Sequence, residues 1–516
     1  MKSTKFFIDQ HGCAKNQVDG EILISHLTET EEWEQTFEPS EADLIIVNSC
    51  GFIESAKTEC IEAVLNARKN YPKAKILLAG CLAERYAKDL NESLPEADGF
   101  FGNGDLEKII VTAREVMQDK RPVHKFEQKG VCGANRKLLL SFAGTAFVKI
   151  TEGCNNRCSF CAIPVIRGEL RSRPADEILE EIKMLVEKGV YEINLIGQDL
   201  AAYGTGRNDN VFGTGRTSLP FGTPGSGADV VGKSEEFSEK NPCTAGESGL
   251  CTLLKQISKI EGTFRLRLLY IHPDHFNEDI LPVIKADERF LPYFDIPFQS
   301  GDDQIILNMH RTGNRKKYAG IIEKIRRVFP EAAIRTTFLA GFPGETDEQA
   351  ENTLSFLEEI RTDWSGCFPY SREDDTPAYG FKKQVPAKTA GQRADRLVAL
   401  QEEITAARLK DRCGKDYDVL IEEVLAQNED SPDEGIAIGR AWFQAPEVDG
   451  AVVVNYDRSD SSQSGAVVSG RLVRVHINSA GTVDLNGDFV CDSPLNKKIR
   501  PPQLQFAQEI NGKGQS

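Results

Sequence analysis

The stretch Thr151–Pro164, TEGCNNRCSFCAIP, places Cys154, Cys158 and Cys161 in one loop at a C-x3-C-x2-C spacing. It follows TAFVKI (145–150), an apolar run with the length and composition of a buried strand. Three thiolates so close together suit three corners of an iron-sulfur cubane, whose usual complement is four cysteines, and so leave one iron open to a substrate or cofactor. The alternative is a structural zinc. Zinc, however, closes four ligands and pairs cysteines in C-x2-4-C units, and no second such pair follows. Beyond the loop, candidate strands YEINLIG, RLRLLY, YFDIPF and AIRTTFLAG alternate with helical stretches such as Ala175–Lys188 and Asn314–Phe329. That alternation predicts a large α/β unit, either open or a partial barrel.

Upstream, between Lys5 and Gln118, the same alternation recurs: KFFID and then 17–27, DLIIVN and then 53–69, KILLAG and then 82–90. The expectation is a parallel sheet with crossover helices. Cys13, Cys50 and Cys81 lie 37 and 31 residues apart, yet each follows a predicted strand and precedes a predicted helix. In a parallel sheet such loops share the carboxyl edge, where open α/β folds bind ligands, so the three thiols are expected to converge. Helix amino termini favour the thiolate that ligates metal. Taken singly, each would read as an inert core cysteine. Cys60, Cys132, Cys367, Cys413 and Cys491 lack that placement, and Cys243 and Cys251 lie in or beside a low-complexity stretch; no chemistry is assigned to them.

Length and composition agree with a modular enzyme. The 516 residues exceed one compact core, and roughly 100 to 200 residues per domain suggests about three domains. The amino-terminal MKSTKFFIDQHG has no apolar stretch long enough for a signal peptide, and no later run approaches the roughly 18 apolar residues of a membrane span; a cytoplasmic protein without membrane contact is expected. Thirteen cysteines in a reducing compartment read as ligands or thiols rather than disulfides. The net charge of −17 repels phosphate backbones and attracts basic protein surfaces.

The expected organisation is an amino-terminal parallel α/β domain over 1–118, a linker over 119–139, a central partial (β/α) barrel over 140–404, a small antiparallel β-barrel over 405–495 and a tail over 496–516. Within the central unit, 204–249 is rich in Gly, Ser, Thr and Asn and reads as an insertion. The helical spacing of RADRLVALQEEITAARLK gives way to short β runs, DYDVLIEEV, GIAIGRAWF, GAVVVNY, GRLVRVHIN and the neighbourhood of Val483, which suggest a barrel resembling an oligonucleotide-binding fold.

The triplet, with Phe160 immediately before its last cysteine, resembles the signature of the radical S-adenosylmethionine superfamily. HGCAKNQVDGE, VNSCGFIESA, AGCLAERY, IGQDLAAYG, DIPFQSG and TFLAGFPGETDE extend the likeness, in order, to the methylthiotransferases; it covers nearly the whole chain except the insertion and the tail. The resemblance implies S-adenosylmethionine and two 4Fe-4S clusters, one on the triplet and one on Cys13, Cys50 and Cys81 that handles the inserted sulfur. It also implies a carboxyl-terminal TRAM domain, and a reductant and a sulfur donor as protein partners. The family has two branches, acting on a tRNA adenosine or on an aspartate of small-subunit ribosomal protein S-twelve. From Arg412 to Pro494 there are six Lys and Arg against fifteen Asp and Glu, a net −9. An RNA-reading barrel should be basic, so direct tRNA binding is not expected and a basic protein is the better partner. EGIAIGRAWFQAPEVDGAVVV, CFPYSREDDTPAY and FLPYFDIPFQS resemble the ribosomal-protein branch. In that branch an adenosyl radical takes hydrogen from the aspartate β-carbon and sulfur from the second cluster caps it.

Other residues carry weaker signals. Gln198 and Gln299, at predicted strand ends, are candidate hydrogen-bond donors to the cofactor or surface loop residues. Gly341 and Gly344 of GFPGET would let backbone approach the cofactor, or form an ordinary turn. Arg167, Arg171 and Arg173 would pair with the cofactor carboxylate, cap a helix or face solvent. The histidines show no H-x3-H or His-Asp arrangement of a catalytic zinc site. An electron carrier or iron-sulfur sensor remains the non-enzyme alternative.

Overall fold

The computed structural model describes residues 3–128, 136–207, 209, 211–212, 247–426 and 431–507. Most of the 204–249 insertion, together with Cys132 and Cys243, lies outside the described residues.

The amino-terminal apolar runs form β1 (Thr4–Gln10), β2 (Trp33–Gln35), β3 (Leu44–Ser49), β4 (Lys75–Gly80) and β5 (Gly99–Phe101). They pair in parallel in the order β2-β1-β3-β4-β5, and a sixth strand, β6 (Val123–His124), comes from the segment read as a linker. Every residue of β3 is buried, as expected of a central parallel strand covered on both faces. The crossover helices are α1 (Ala14–Thr28), α2 (Glu54–Asn70) and α3 (Cys81–Ser93). α1 is buried almost all round, because its outer face lies against the central unit rather than water.

The central unit has six parallel strands, Thr145–Lys149, Glu192–Ile196, Arg265–Leu268, Phe290–Asp295, Ala333–Ala340 and Trp364–Pro369, hydrogen-bonded in chain order. Consecutive order without pairing of first to last is a barrel arc left open on one side. Five further strands, from Asp416–Val424 to Leu485–Asp492, close a small barrel. One seam departs from the antiparallel expectation: Val452–Asn455 runs parallel to Leu485–Asp488. Near the other end of the chain, Gln505–Phe506 pairs in parallel with Leu138–Leu139. Among the described residues no helix is long and apolar enough to cross a membrane.

One hydrophobic cluster runs through all three units, from Phe6 and Ile22 by way of Phe147, Ile196 and Tyr293 to Val419 and Val475. Beside it, buried charges fix the small barrel to the central one. Glu192 accepts from Arg440 Nη1 at 3.0 Å and from Arg267 Nη2 at 3.5 Å, and Arg440 Nε donates to Glu422. Burial would raise the Glu192 carboxyl, but Arg440 and Arg267 outweigh it and hold it at about 2.

Replacing Arg440 with Met leaves two buried carboxylates short of a cation and should cost about 3 to 5 kcal/mol, read as a fall in denaturant midpoint. Because the Glu192 pKa is depressed, its contribution is complete above the ordinary value of 4.5 and drains away as pH falls toward 2. Glu192→Gln should flatten that part of the acid-unfolding curve; an unchanged slope would contradict the assignment.

Candidate functional site

The three amino-terminal cysteines stand where the strand-to-helix reading put them. Cys13 is the N-cap of α1, Cys50 directly follows β3, and Cys81 opens α3. Close approach of their loops depends on glycine. A Cβ at Gly51 would lie 2.7 Å from the Cys81 carbonyl, and Gly80 adopts a φ of 91°, which L side chains rarely tolerate.

The triplet loop is pinned to the central unit. Cys154 N donates to Gly168 O, Cys161 N to Cys158 O, and Ser159 Oγ to Asn308 O. All six cysteines line a single cavity of about 330 Å³, together with Phe160, Gln198 and Gln299. Gln198 Nε2 is buried there without a partner among the described residues, and Gln299 holds a φ of 71°. An unpaired donor and a strained strand-end residue on one wall are what a cofactor site would use. Gly341 and Gly344 do not line the cavity. Gly341 sits in a turn, where a Cβ would strike Ala390 at 2.3 Å, and Gly344 N donates to Lys383 O.

Of the three arginines, Arg167 has a role that sequence reading missed. It is buried, forms an ion pair with Asp19 Oδ2 of α1 at 2.9 Å, and donates to Glu152 Oε1 at 2.9 Å and Cys81 Sγ at 3.2 Å. It therefore ties the two units at the cysteines. Arg173 pairs with Glu177 and Glu181, and Arg171 donates to Gln128 and to backbone carbonyls.

Two further groups went unseen. His272 Nδ1 accepts from Asp274 N, which assigns the ring proton to Nε2; this atom faces Cys158 Sγ at 3.8 Å. Burial, aided by Arg311, pushes His272 down to about 3, so the ring is neutral. Asp199, His272 and His275 also bring ligand atoms within 4.8 Å of one another, an arrangement that a search for H-x3-H could not find in IHPDHF. The Asp199 carboxylate already accepts from Ala201 N, His272 N, Asn156 Nδ2 and His275 Nδ1. The three residues brace the triplet loop.

The thiols fit metal ligation. Burial pushes Cys50 and Cys154 up to about 12 and raises Cys81 and Cys161, with neighbouring cysteines adding to the push at Cys50 and Cys161. Such thiols bind iron by exchanging a proton for the metal. Cys13 moves the other way: its position deep in the recess, though accessible from the cavity, would raise it, but the charges of Lys15 and Arg167 and nearby backbone N–H groups outweigh that.

With a three-cysteine loop at the carboxyl edge of an open parallel barrel, the central unit is of the radical S-adenosylmethionine class. The chain matches the radical SAM superfamily over residues 148–357, uncharacterized protein family UPF0004 over 5–102 and the TRAM domain over 413–490. It is 50% identical to ribosomal protein uS12 methylthiotransferase RimO of Treponema denticola, over 93% of this chain and 99% of that one. The protein of the same name from Carboxydothermus hydrogenoformans is 34% identical, over 95% and 100%. In fold it is similar to the radical S-adenosylmethionine methyltransferase TsrM of Kitasatospora setae, with a TM-score of 0.50 and 13% identity over 77% of this chain and 89% of that one. The chain belongs to the RimO family of methylthiotransferases, enzymes that use S-adenosylmethionine and 4Fe-4S clusters.

The thiolate is the nucleophile in alkylation. In metal-free protein at neutral pH, iodoacetamide should therefore label Cys13, exposed on the cavity wall, ahead of the other cavity cysteines. Cys60, buried and pushed up to about 11, should stay unlabelled. Peptide mapping at short times checks the order, and first labelling at Cys50 or Cys161 would overturn it.

Proposed function

We propose that this chain transfers a methylthio group to the β-carbon of an aspartate in ribosomal protein uS12, and that it does so in the cytoplasm. The observation that carries the proposal is the opening of two separate cysteine trios onto one cavity. Cys154, Cys158 and Cys161 hold one 4Fe-4S cluster with an open iron, and Cys13, Cys50 and Cys81 hold the second. When bound, the clusters and S-adenosylmethionine supply an electron, a radical able to take hydrogen from an unactivated carbon, and sulfur.

The protein's own part is to bind, orient and exclude water. Phe160, within the triplet, packs beside Phe342 and Tyr370 and closes one wall of the cavity. Gln198 and Gln299 offer polar contacts at the strand ends. His272 directs its N–H at the Cys158 sulfur, a contact that tunes a cluster ligand. We take 1–118, 140–404 and 405–495 as working units, with Val123–His124 joining the first sheet and the helix Ala387–Lys410 crossing the last boundary. The acidic small barrel, net −9 from Arg412 to Pro494, favours a basic ribosomal protein over a nucleic acid. A reductant and a sulfur donor complete the set of partners.

Reconstituted protein should carry about eight irons. With S-adenosylmethionine and a reductant, it should add a methylthio group to uS12, detected by mass spectrometry; product on tRNA alone would reject the substrate. Replacing Cys154, Cys158 and Cys161 with Ala should leave about half the iron and abolish 5′-deoxyadenosine formation. Replacing Cys13, Cys50 and Cys81 should also halve the iron, but leave 5′-deoxyadenosine and stop methylthiolation.

A further inference from the structure

We propose that the Lys15 ammonium receives the side-chain carboxylate of the substrate aspartate and so selects an acidic residue for reaction. This deepens, and rests on, the function proposed above. Lys15 is the second residue of α1 and is only 6% exposed, yet it lines the cavity shared by the two cysteine trios. Its Nζ lies 3.5 Å from the centroid of the Tyr270 ring and makes no hydrogen bond or ion pair among the described residues. Tyr270 in turn holds a φ of 70°, a conformation strained for a bulky side chain, just beyond the strand Arg265–Leu268.

Two of the neighbouring buried cations are already paired with carboxylates. Arg167 is committed to Asp19, Glu152 and Cys81, and Lys149 to Asp19 and Glu152. Arg311 has no carboxylate partner among the described residues, but it donates to the carbonyls of Pro297 and Phe298 and lies beside Phe160 and Cys158 of the triplet, not beside the amino-terminal cysteines. Burial works against the Lys15 charge and outweighs the support of Cys13, Asp295 and Glu152, none of which ion-pairs with Nζ among the described residues, so the ammonium lacks a direct anionic partner. An incoming carboxylate supplies that anion.

The placement also suits the reaction. In aspartate the carboxylate carbon is bonded directly to the β-carbon, so gripping the carboxylate fixes the reacting carbon one bond away, within the cavity that both trios face. A neutral base offers no such handle. The rival role for Lys15 is as counter-charge to the Cys13 thiolate, two residues away.

Binding of recombinant uS12 to reconstituted protein separates the two roles. The dissociation constant would be measured for uS12 and for a form whose target aspartate is replaced by asparagine, against unaltered protein, Lys15→Met and Lys15→Arg. Lys15→Met should weaken binding of uS12 by about tenfold or more while changing binding of the asparagine form by less than about twofold, and Lys15→Arg should recover part of the loss. Equal loss for both forms, or loss for neither, overturns the proposal. So does a Lys15→Met protein that keeps only half its iron, because the lysine would then be serving Cys13. If the unaltered protein fails to methylthiolate uS12, the proposed function falls and takes the lysine's role with it. If it succeeds while Lys15→Met shows no charge-dependent loss, only the lysine's role is lost.

Discussion

Arg167 leaves the central unit just after the triplet loop and ends among Asp19, Glu152 and Cys81. A guanidinium held between carboxylates from two units fixes their spacing more tightly than apolar packing would, because its fork demands directed partners. Burial works against its charge, and Cys81, Glu152 and Asp19 more than compensate, so it stays protonated. Lys149 binds the same two carboxylates and reinforces the joint. With the joint in place, the carboxyl edges of two different sheets open onto one cavity; without it, each cysteine trio would be a separate site.

The small barrel is held by similar means at a different place. Arg440, Glu192, Glu422 and Arg267 form one buried charge network, and Arg335 and Tyr293 both reach Asp449. Trp364 Nε1 donates to Phe443 O across the same boundary. The acidic barrel is thus a fixed part of the enzyme's body, oriented relative to the cavity.

The placement of the six cysteines was legible because both signals are local: Cys154, Cys158 and Cys161 share one closely spaced loop, and Cys13, Cys50 and Cys81 each follow a strand and precede or open a helix, which parallel sheets place on one edge. The order of units and the open central arc were legible from alternating periodicity for the same reason. Lys15 stood in plain view beside Cys13, but nothing nearby in the chain marks it; its meaning comes from Tyr270, 255 residues away. His272 and Arg167 were equally hidden, since what they touch is set by packing between elements remote in sequence. Val123–His124 escaped as a strand because two residues carry no periodicity, and the parallel seam of the small barrel escaped because run length does not encode direction.

The short ladder between Leu138–Leu139 and Gln505–Phe506 has a temporal consequence. Its second strand is synthesised hundreds of residues after the first, so this staple beside the junction of the first two units cannot close during translation until Phe506 has left the ribosome. The joint between the first two units is in this respect locked late, by a segment made long after the residues it pins.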